Sequence, residues 1–156
     1  MVRRGWLADL GFRALSTFHR GVLKLSSWGV FTRYGSLTVI ELRTVGRRSG
    51  RARTVALSAP VFEADRVVLV ASRGGDDRHP DWYLNLVANP DVEVTVGPVT
   101  RPMRARTARA GERADLWKKV VAGYPGYARY QRMTNREIPI VVCEPRPETA
   151  AHGAGA

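Results

Sequence analysis

Six short apolar runs, each closed by turn-forming residues, limit this chain to a small β-rich architecture. They cover about 36–44, 53–63, 66–72, 91–97 and 99–108, with a last run at Ile138-Pro-Ile-Val-Val-Cys-Glu. Each has strand length, and Gly, Pro, Asn and Asp punctuate the gaps. Glu63-Ala-Asp predicts a hairpin turn between the second and third runs, and Gly97-Pro98 joins the fourth to the fifth. Pro139 has no amide N–H, so it belongs at a strand start or on an edge. Residues 80–89 and 111–122 read as helices. Pro80 suits a first helical turn, Asn89-Pro90 stops that helix, and Leu116, Trp117, Val120 and Val121 form an apolar side of the second. A chain of 156 residues fits one domain. Six strands with few helices predict a mainly β, α+β fold built on a small barrel. The expected organisation is an N-terminal amphipathic helix over 1–30, the barrel over 31–145 and a disordered tail over 146–156.

The first two runs are joined by Thr44-Val-Gly-Arg-Arg-Ser-Gly-Arg-Ala-Arg. Gly46 and Gly50 bracket a tight turn, with Arg47, Arg48, Arg51 and Arg53 in or beside it. Glycine permits positive φ, which lets successive N–H groups point into one concavity. Arginine forks match phosphate or carboxylate oxygens. A turn so dense in cations repels itself when empty, so it is expected to hold an anion; a solvated basic hairpin tip is the alternative. It is not a P-loop, which needs four residues between its glycines and then Lys; here there are three, followed by Arg51.

A second stretch, Ser72-Arg-Gly-Gly-Asp-Asp-Arg-His-Pro-Asp-Trp-Tyr, runs from a strand end through a Gly-Gly turn into a helix. Such a turn can bring backbone donors up to a flat ligand, and the helix start favours an anion. Trp82, Tyr83 and Leu86 read first as core. Tyr124, Tyr127 and Tyr130 repeat at three-residue spacing along one side of a helical segment. They serve either as a packing surface or as a wall over a planar ligand, with phenols able to donate a hydrogen bond or proton. No nucleophile–base pair and no paired carboxylates stand out, so an enzyme built this way leaves the hard chemistry to a cofactor.

Lys plus Arg number 25 against 14 Asp plus Glu, a net charge of +11 carried mostly by arginine. That suits an anionic partner. Nucleic acid is disfavoured, because the arginines crowd one turn instead of interleaving with aromatics along a sheet face. The one cysteine, Cys143, excludes an internal disulfide and reads as a buried, inert thiol. Three scattered histidines give no metal-ligand spacing, so no metal is expected. No stretch reaches the ~20 apolar residues of a membrane span, and no secretion signal is read, so a cytoplasmic protein is expected. Over 5–27, Leu7, Leu10, Ala14, Phe18, Val22 and Leu25 form an apolar stripe beside Arg3, Arg4, Arg13, Arg20 and Lys24. This helix either packs on its own domain or lies on the inner face of an anionic membrane.

Taken together, five stretches resemble the deazaflavin-dependent nitroreductases of actinobacteria, in the same order and at similar spacing over about 37–145. They are Thr44-Val-Gly-Arg-Arg-Ser-Gly, Ala71-Ser-Arg-Gly-Gly, His79-Pro-Asp-Trp-Tyr-Leu-Asn-Leu-Val-Ala-Asn-Pro, Tyr124-Pro-Gly-Tyr and Ile138-Pro-Ile-Val-Val-Cys-Glu-Pro. The resemblance implies a split β-barrel related in shape to the flavin-mononucleotide-binding barrels. It also implies reduced coenzyme F-420 as donor of a hydride to a quinone, an enone or a nitroaromatic. That coenzyme carries a deazaflavin ring, a phosphate and an oligoglutamate tail, a string of anions that would partner the arginines. Carried over, the phosphate turn is Arg47, Arg48, Ser49 and Arg53. The ring turn is Ser72, Arg73, Gly74 and Gly75, with Ala56 and Trp82 beside the ring. The catalytic candidates are Tyr124, Tyr127, Tyr130 and Ser72. Some members carry Lys where this chain has Arg48 and Arg73, and some carry Pro where it has Ala56. The alternatives are a flavin-mononucleotide (FMN) oxidoreductase on the same barrel and a non-catalytic coenzyme-binding protein.

Overall fold

The computed structural model describes residues 33–34 and 37–147. The helix expected over 5–27 and the tail beyond 147 lie outside the described residues. The strands are β1 (Arg33–Tyr34), β2 (Leu37–Val45), β3 (Ala52–Ala59), β4 (Val61–Phe62), β5 (Val67–Val70), β6 (Asp91–Val96), β7 (Val99–Thr107) and β8 (Ile140–Pro145). The helices are α1 (Asp81–Ala88), α2 (Ala110–Gly123) and α3 (Gly126–Met133). Eight strands form one sheet, in the order β1-β2-β6-β7-β8-β5-β4, with β3 also paired to β2. All the pairings are antiparallel.

The count exceeds six partly because the run at 53–63 is two strands. Pro60 interrupts it, since proline cannot donate to a ladder. Before it, β3 pairs with β2 from Ala52↔Val45 to Ala59↔Thr38. After it, β4 pairs with β5 at the opposite end of the sheet. One proline thus joins the two ends of the sheet covalently and curls it into a split barrel. Pro139 lies just before β8, where its carbonyl accepts the Ala71 amide.

Alternation sorts the side chains. Ile40, Leu42 and Thr44 of β2 are buried while Glu41, Arg43 and Val45 are exposed. Strands β5 and β8 are instead buried on both faces, as a near-continuous apolar run requires. Val67, Leu69, Val141 and Cys143 point into the barrel with Ile40, Leu42, Val94 and Met103. Val68, Val70, Ile140 and Val142 point outward, where Leu116 and Val120 of α2 and Tyr127 of α3 cover them. Each such aliphatic side chain contributes about 1.5–3 kcal/mol when fully buried. Helix α1 sends Trp82 and Leu86 into the inner core. Cys143 has no exposed surface, and burial pushes its thiol up to about 12.

Candidate functional site

Between β2 and β3 the chain closes on itself. The Gly46 amide donates to Arg51 O at 2.8 Å, and the Gly50 amide to Gly46 O at 2.8 Å. Gly50 has φ +66°. Gly46 is required for a different reason: a Cβ there would lie 2.8 Å from Ser49 Oγ and 3.2 Å from Arg51 O. The Ser49 hydroxyl also accepts the Arg51 amide at 3.3 Å.

Arg47 is not a free cation. Its amide donates to Asn85 Oδ1 at 3.1 Å, and its fork reaches Asp81 Oδ1 and Asn85 Oδ1 at 3.2 Å. Asn85, 5% exposed, uses its other end to donate to Thr44 Oγ1 at 3.4 Å. The arginine turn is therefore pinned to α1. Arg48, Arg51 and Arg53 are exposed, and their side chains have no partner among the described residues.

The second turn follows β5. Arg73, Gly74 and Gly75 have φ of +48°, +64° and +85°. Three left-handed residues in a row are costly, about 1 kcal/mol or more for the arginine. Tertiary contacts hold them. Gly75 lies so close to α3 that a Cβ would be 2.9 Å from Met133 Cβ and 3.0 Å from Tyr130 O. Arg73 Nη1 donates to His79 O at 3.4 Å. Asp76 accepts from the Arg78 amide at 2.7 Å and from its fork, and that fork above all holds the Asp76 carboxyl below its ordinary range. Thr134 Oγ1 donates to Asp77 Oδ1 at 2.6 Å. Arg136, half-buried, donates to Ala71 O at 3.1 Å, Ser72 O at 2.9 Å and Asp76 O at 2.9 Å. Its Nη1 stands 3.2 Å from His79 Nδ1. Burial, and then the Arg136 charge, lower the pKa of His79.

The tyrosines of the third group meet one another at centroid distances of 5.2, 6.4 and 6.2 Å. They differ in burial. Tyr124 is 37% exposed, Tyr130 is intermediate, and Tyr127 is 7% exposed with its ring in the outer core. Burial, then the neighbouring phenols, raise the Tyr127 pKa above its ordinary value. Burial and a hydrogen bond with Tyr124 raise that of Tyr130. Tyr127 is thus firmly packed in the outer core.

These groups meet around the start of α1 and the side of α3. Arg47 binds Asp81 at the first residue of α1, while Arg73 binds the His79 carbonyl two residues earlier. Gly75 touches the backbone of the tyrosine helix. Ser72, 8% exposed, lies at the start of the second turn. Trp82 is spent in the inner core. Ala56 pairs with Glu41 in regular register. The sequence reading passed over Arg136, Asp76, Asp77, Asp81 and Asn85. Asn85 did leave a signal: it falls three residues after Trp82 and one before Leu86, on the buried face of a helix. Arg136 left none, because its partners are backbone carbonyls some 60 residues away.

Residues 22–145 match the F420H(2)-dependent quinone reductase family. A Mycobacterium tuberculosis protein named as an F420H(2)-dependent quinone reductase is 40% identical over 111 residues, covering 69% of this chain and 74% of its own. Among solved structures, an F420-H2 dependent reductase is 40% identical, with TM-score 0.63 over 74% of this chain and all of its own. Another, described as a domain-swapped dimer, is 37% identical, with TM-score 0.64 over 82% of this chain and 94% of its own.

Proposed function

The chain belongs to the F420H(2)-dependent quinone reductase family, and from that premise we propose that the arginine turn and the Ser72–Gly75 turn together seat coenzyme F-420 beside the tyrosines of α3. The protein is an oxidoreductase of reduced coenzyme F-420 acting on an electron-poor acceptor. We propose a quinone as that acceptor, with enones and nitroaromatics as further members of the class. The observation that carries the reading is that Arg48, Arg51 and Arg53 have no side-chain partner among the described residues, beside a turn already pinned by Arg47. Exposed arginine forks beside a fixed turn suit a phosphate and a carboxylate tail.

When bound, the coenzyme supplies a hydride, and reduction of a quinone to a quinol then needs one proton. The protein's share is position and charge. Arg48 and Arg53 bind the phosphate, with Ser49 beside them. The Ser72 amide, at the start of the Ser72–Gly75 turn, faces the ring, and Trp82 supports α1 from the core. Tyr124 and Tyr130, the more exposed phenols, contact the acceptor. Tyr127 acts best as a neutral hydrogen-bond donor, since its raised pKa weakens it as an acid. A donor aimed where oxygen charge develops favours the transition state over the ground state. The proton comes from water or, less readily because its pKa is raised too, from Tyr130. Ser72 and Ala56 serve as contacts along the ring.

A titration of the purified protein with coenzyme F-420 and with FMN tests this reading. F-420 is expected to bind more tightly, and bound reduced coenzyme to be oxidised when a quinone is added. Tighter FMN binding would favour the flavin alternative. Tight F-420 binding without quinone turnover would favour a carrier.

The proposal extends to a cytoplasmic enzyme whose residues 5–27 rest on the inner face of an anionic membrane, because basic and apolar residues segregate there. Among the described residues no helix is long and apolar enough to cross a membrane. Equal vesicle co-sedimentation of the full chain and of a chain starting near Ser36 would count against attachment.

A further inference from the structure

We infer that Arg136 is the positioning residue of the coenzyme-ring site: by capturing the carbonyls of Ala71, Ser72 and Asp76 it turns the opposite, amide edge of that loop toward the ligand. This rests on the reading that the Ser72–Gly75 turn is the ring site. The geometry follows from the peptide plane. In a trans peptide the C=O and the next N–H point in opposite directions. Arg136 Nη2 holds Ala71 O at 3.1 Å and Ser72 O at 2.9 Å, and Nε holds Asp76 O at 2.9 Å. The amides that follow, of Ser72, Arg73 and Asp77, therefore face away from the guanidinium. Of these, the Ser72 amide has no partner among the described residues. Ser72 is buried, and a buried amide is ordinarily paired, so this edge is built to receive an acceptor atom. The oxygens and ring nitrogens on the edge of a deazaflavin are of that chemical class.

The guanidinium suits the task in a way an ammonium does not. Its planar fork reaches three carbonyls and His79 Nδ1 at once, the last at 3.2 Å. Its own backbone is fixed in turn. The Arg136 amide donates to Thr134 Oγ1 at 3.3 Å, and the Arg136 carbonyl accepts from Gln131 Nε2 at 2.8 Å. Gln131 Oε1 then accepts the Ile138 amide at 2.9 Å. Gln131 lies on α3, the helix that carries Tyr127 and Tyr130. The same few residues thus set both the amide edge and its distance from the tyrosines. Arg136 touches neither ring nor acceptor, so its loss acts through alignment.

The test uses the full chain and two ligands: intact coenzyme F-420, and its ring-and-ribityl fragment without phosphate and tail. Arg136→Lys should weaken both by about 10- to 100-fold, the effect of losing charge-assisted hydrogen bonds that shape a site. It should also lower kcat with a quinone, because misalignment reaches the chemical step. Arg48→Ala should weaken the intact coenzyme and leave the fragment within about twofold, since one contact is removed at the phosphate alone. Arg106→Lys controls for loss of fold. Arg106 is similarly half-buried and bound to Glu112 and Glu144, with no hydrogen bond to either turn. If Arg136→Lys and Arg106→Lys lower the melting temperature alike but only Arg136→Lys weakens the fragment, the positioning role stands. Should Arg136→Ala recover fragment affinity in millimolar guanidinium, that is the same result by another route. Fragment binding by Arg136→Lys equal to wild type overturns the inference. If Arg48→Ala still weakens the intact coenzyme, the site reading survives that failure. If neither variant changes any affinity, both readings fall together.

Discussion

Arg47 and Arg48 are adjacent and alike in sequence, yet the fold gives them different work. Arg47 ties its turn to Asp81 and Asn85, while Arg48 points to solvent without a partner among the described residues. Arg48→Ala is therefore expected to weaken coenzyme binding by about 10- to 100-fold, the scale of one charge-assisted hydrogen bond, with an unchanged melting temperature. Arg47→Ala is expected to lower the melting temperature too, because Asp81 and Asn85 lose the guanidinium that ties α1 to the turn. Unchanged affinity in both variants would remove the phosphate assignment. Tyr127 is the second case where neighbours separate. Tyr127→Phe keeps the ring that fills the outer core, so stability and coenzyme affinity should hold while loss of the hydrogen-bond donor lowers turnover by up to about 10²-fold. Tyr127→Ala empties that space and should cost about 3–5 kcal/mol. If the Phe variant loses coenzyme and keeps its turnover per bound coenzyme, the tyrosine stands on the coenzyme side instead. His79 gives a pH signature. Burial and the Arg136 charge hold its folded pKa below the ordinary 6.5. Between the two values the unfolded chain binds the extra proton, so stability is full above about 6.5 and declines as pH falls below it. His79→Gln should flatten the part of the melting-temperature profile below pH 6.5. An identical acid slope in wild type and variant would assign that slope to other groups.

Elements were legible in proportion to how local their causes are. Helix α1 starts and stops where Pro80 and Asn89-Pro90 place its ends, and the β6–β7 hairpin turns at Gly97-Pro98. The run at 53–63 was not legible as two strands, because the apolar run continues across Pro60 while the change of partner is a long-range event. The contact of the ring turn with α3 was equally hidden. Gly75 reads as one of two turn glycines, yet its main constraint is Tyr130 O and Met133, more than 50 residues later. Gly75→Ala tests that contact. A methyl group at φ +85° against a backbone carbonyl should destabilise the fold by about 1–3 kcal/mol. It should weaken coenzyme as well, by shifting the turn from α3. Gly74→Ala meets no neighbour within 4 Å and should carry only the backbone strain. Equal losses in the two variants would mean that the packing on α3 is unimportant.

For the molecule as a whole, the curled sheet accounts for how distant motifs converge. Pro60 joins the two ends of the sheet, α1 bridges the arginine turn to the loop after β5, and α3 closes against that loop. The fold class and the two glycine turns were readable from strand length and turn residues. Of the residues that hold the turns, Asn85 left only its place on the buried face of α1, and Arg136 left nothing, because a clamp on backbone carbonyls has no periodic trace. The net charge of +11 enters at this scale as a partner for a polyanionic coenzyme. Binding of coenzyme F-420 and of FMN, titrated across a series of salt concentrations, examines fold, turns and charge together. Coenzyme F-420 should bind more tightly than FMN, with affinity falling as salt rises because exposed arginine–anion contacts are screened. Arg48→Ala should shallow that dependence. Tighter binding of FMN, or an F-420 affinity indifferent to salt and to Arg48, would contradict the assignment of the arginine turn and the Ser72–Gly75 turn as the seat of the coenzyme.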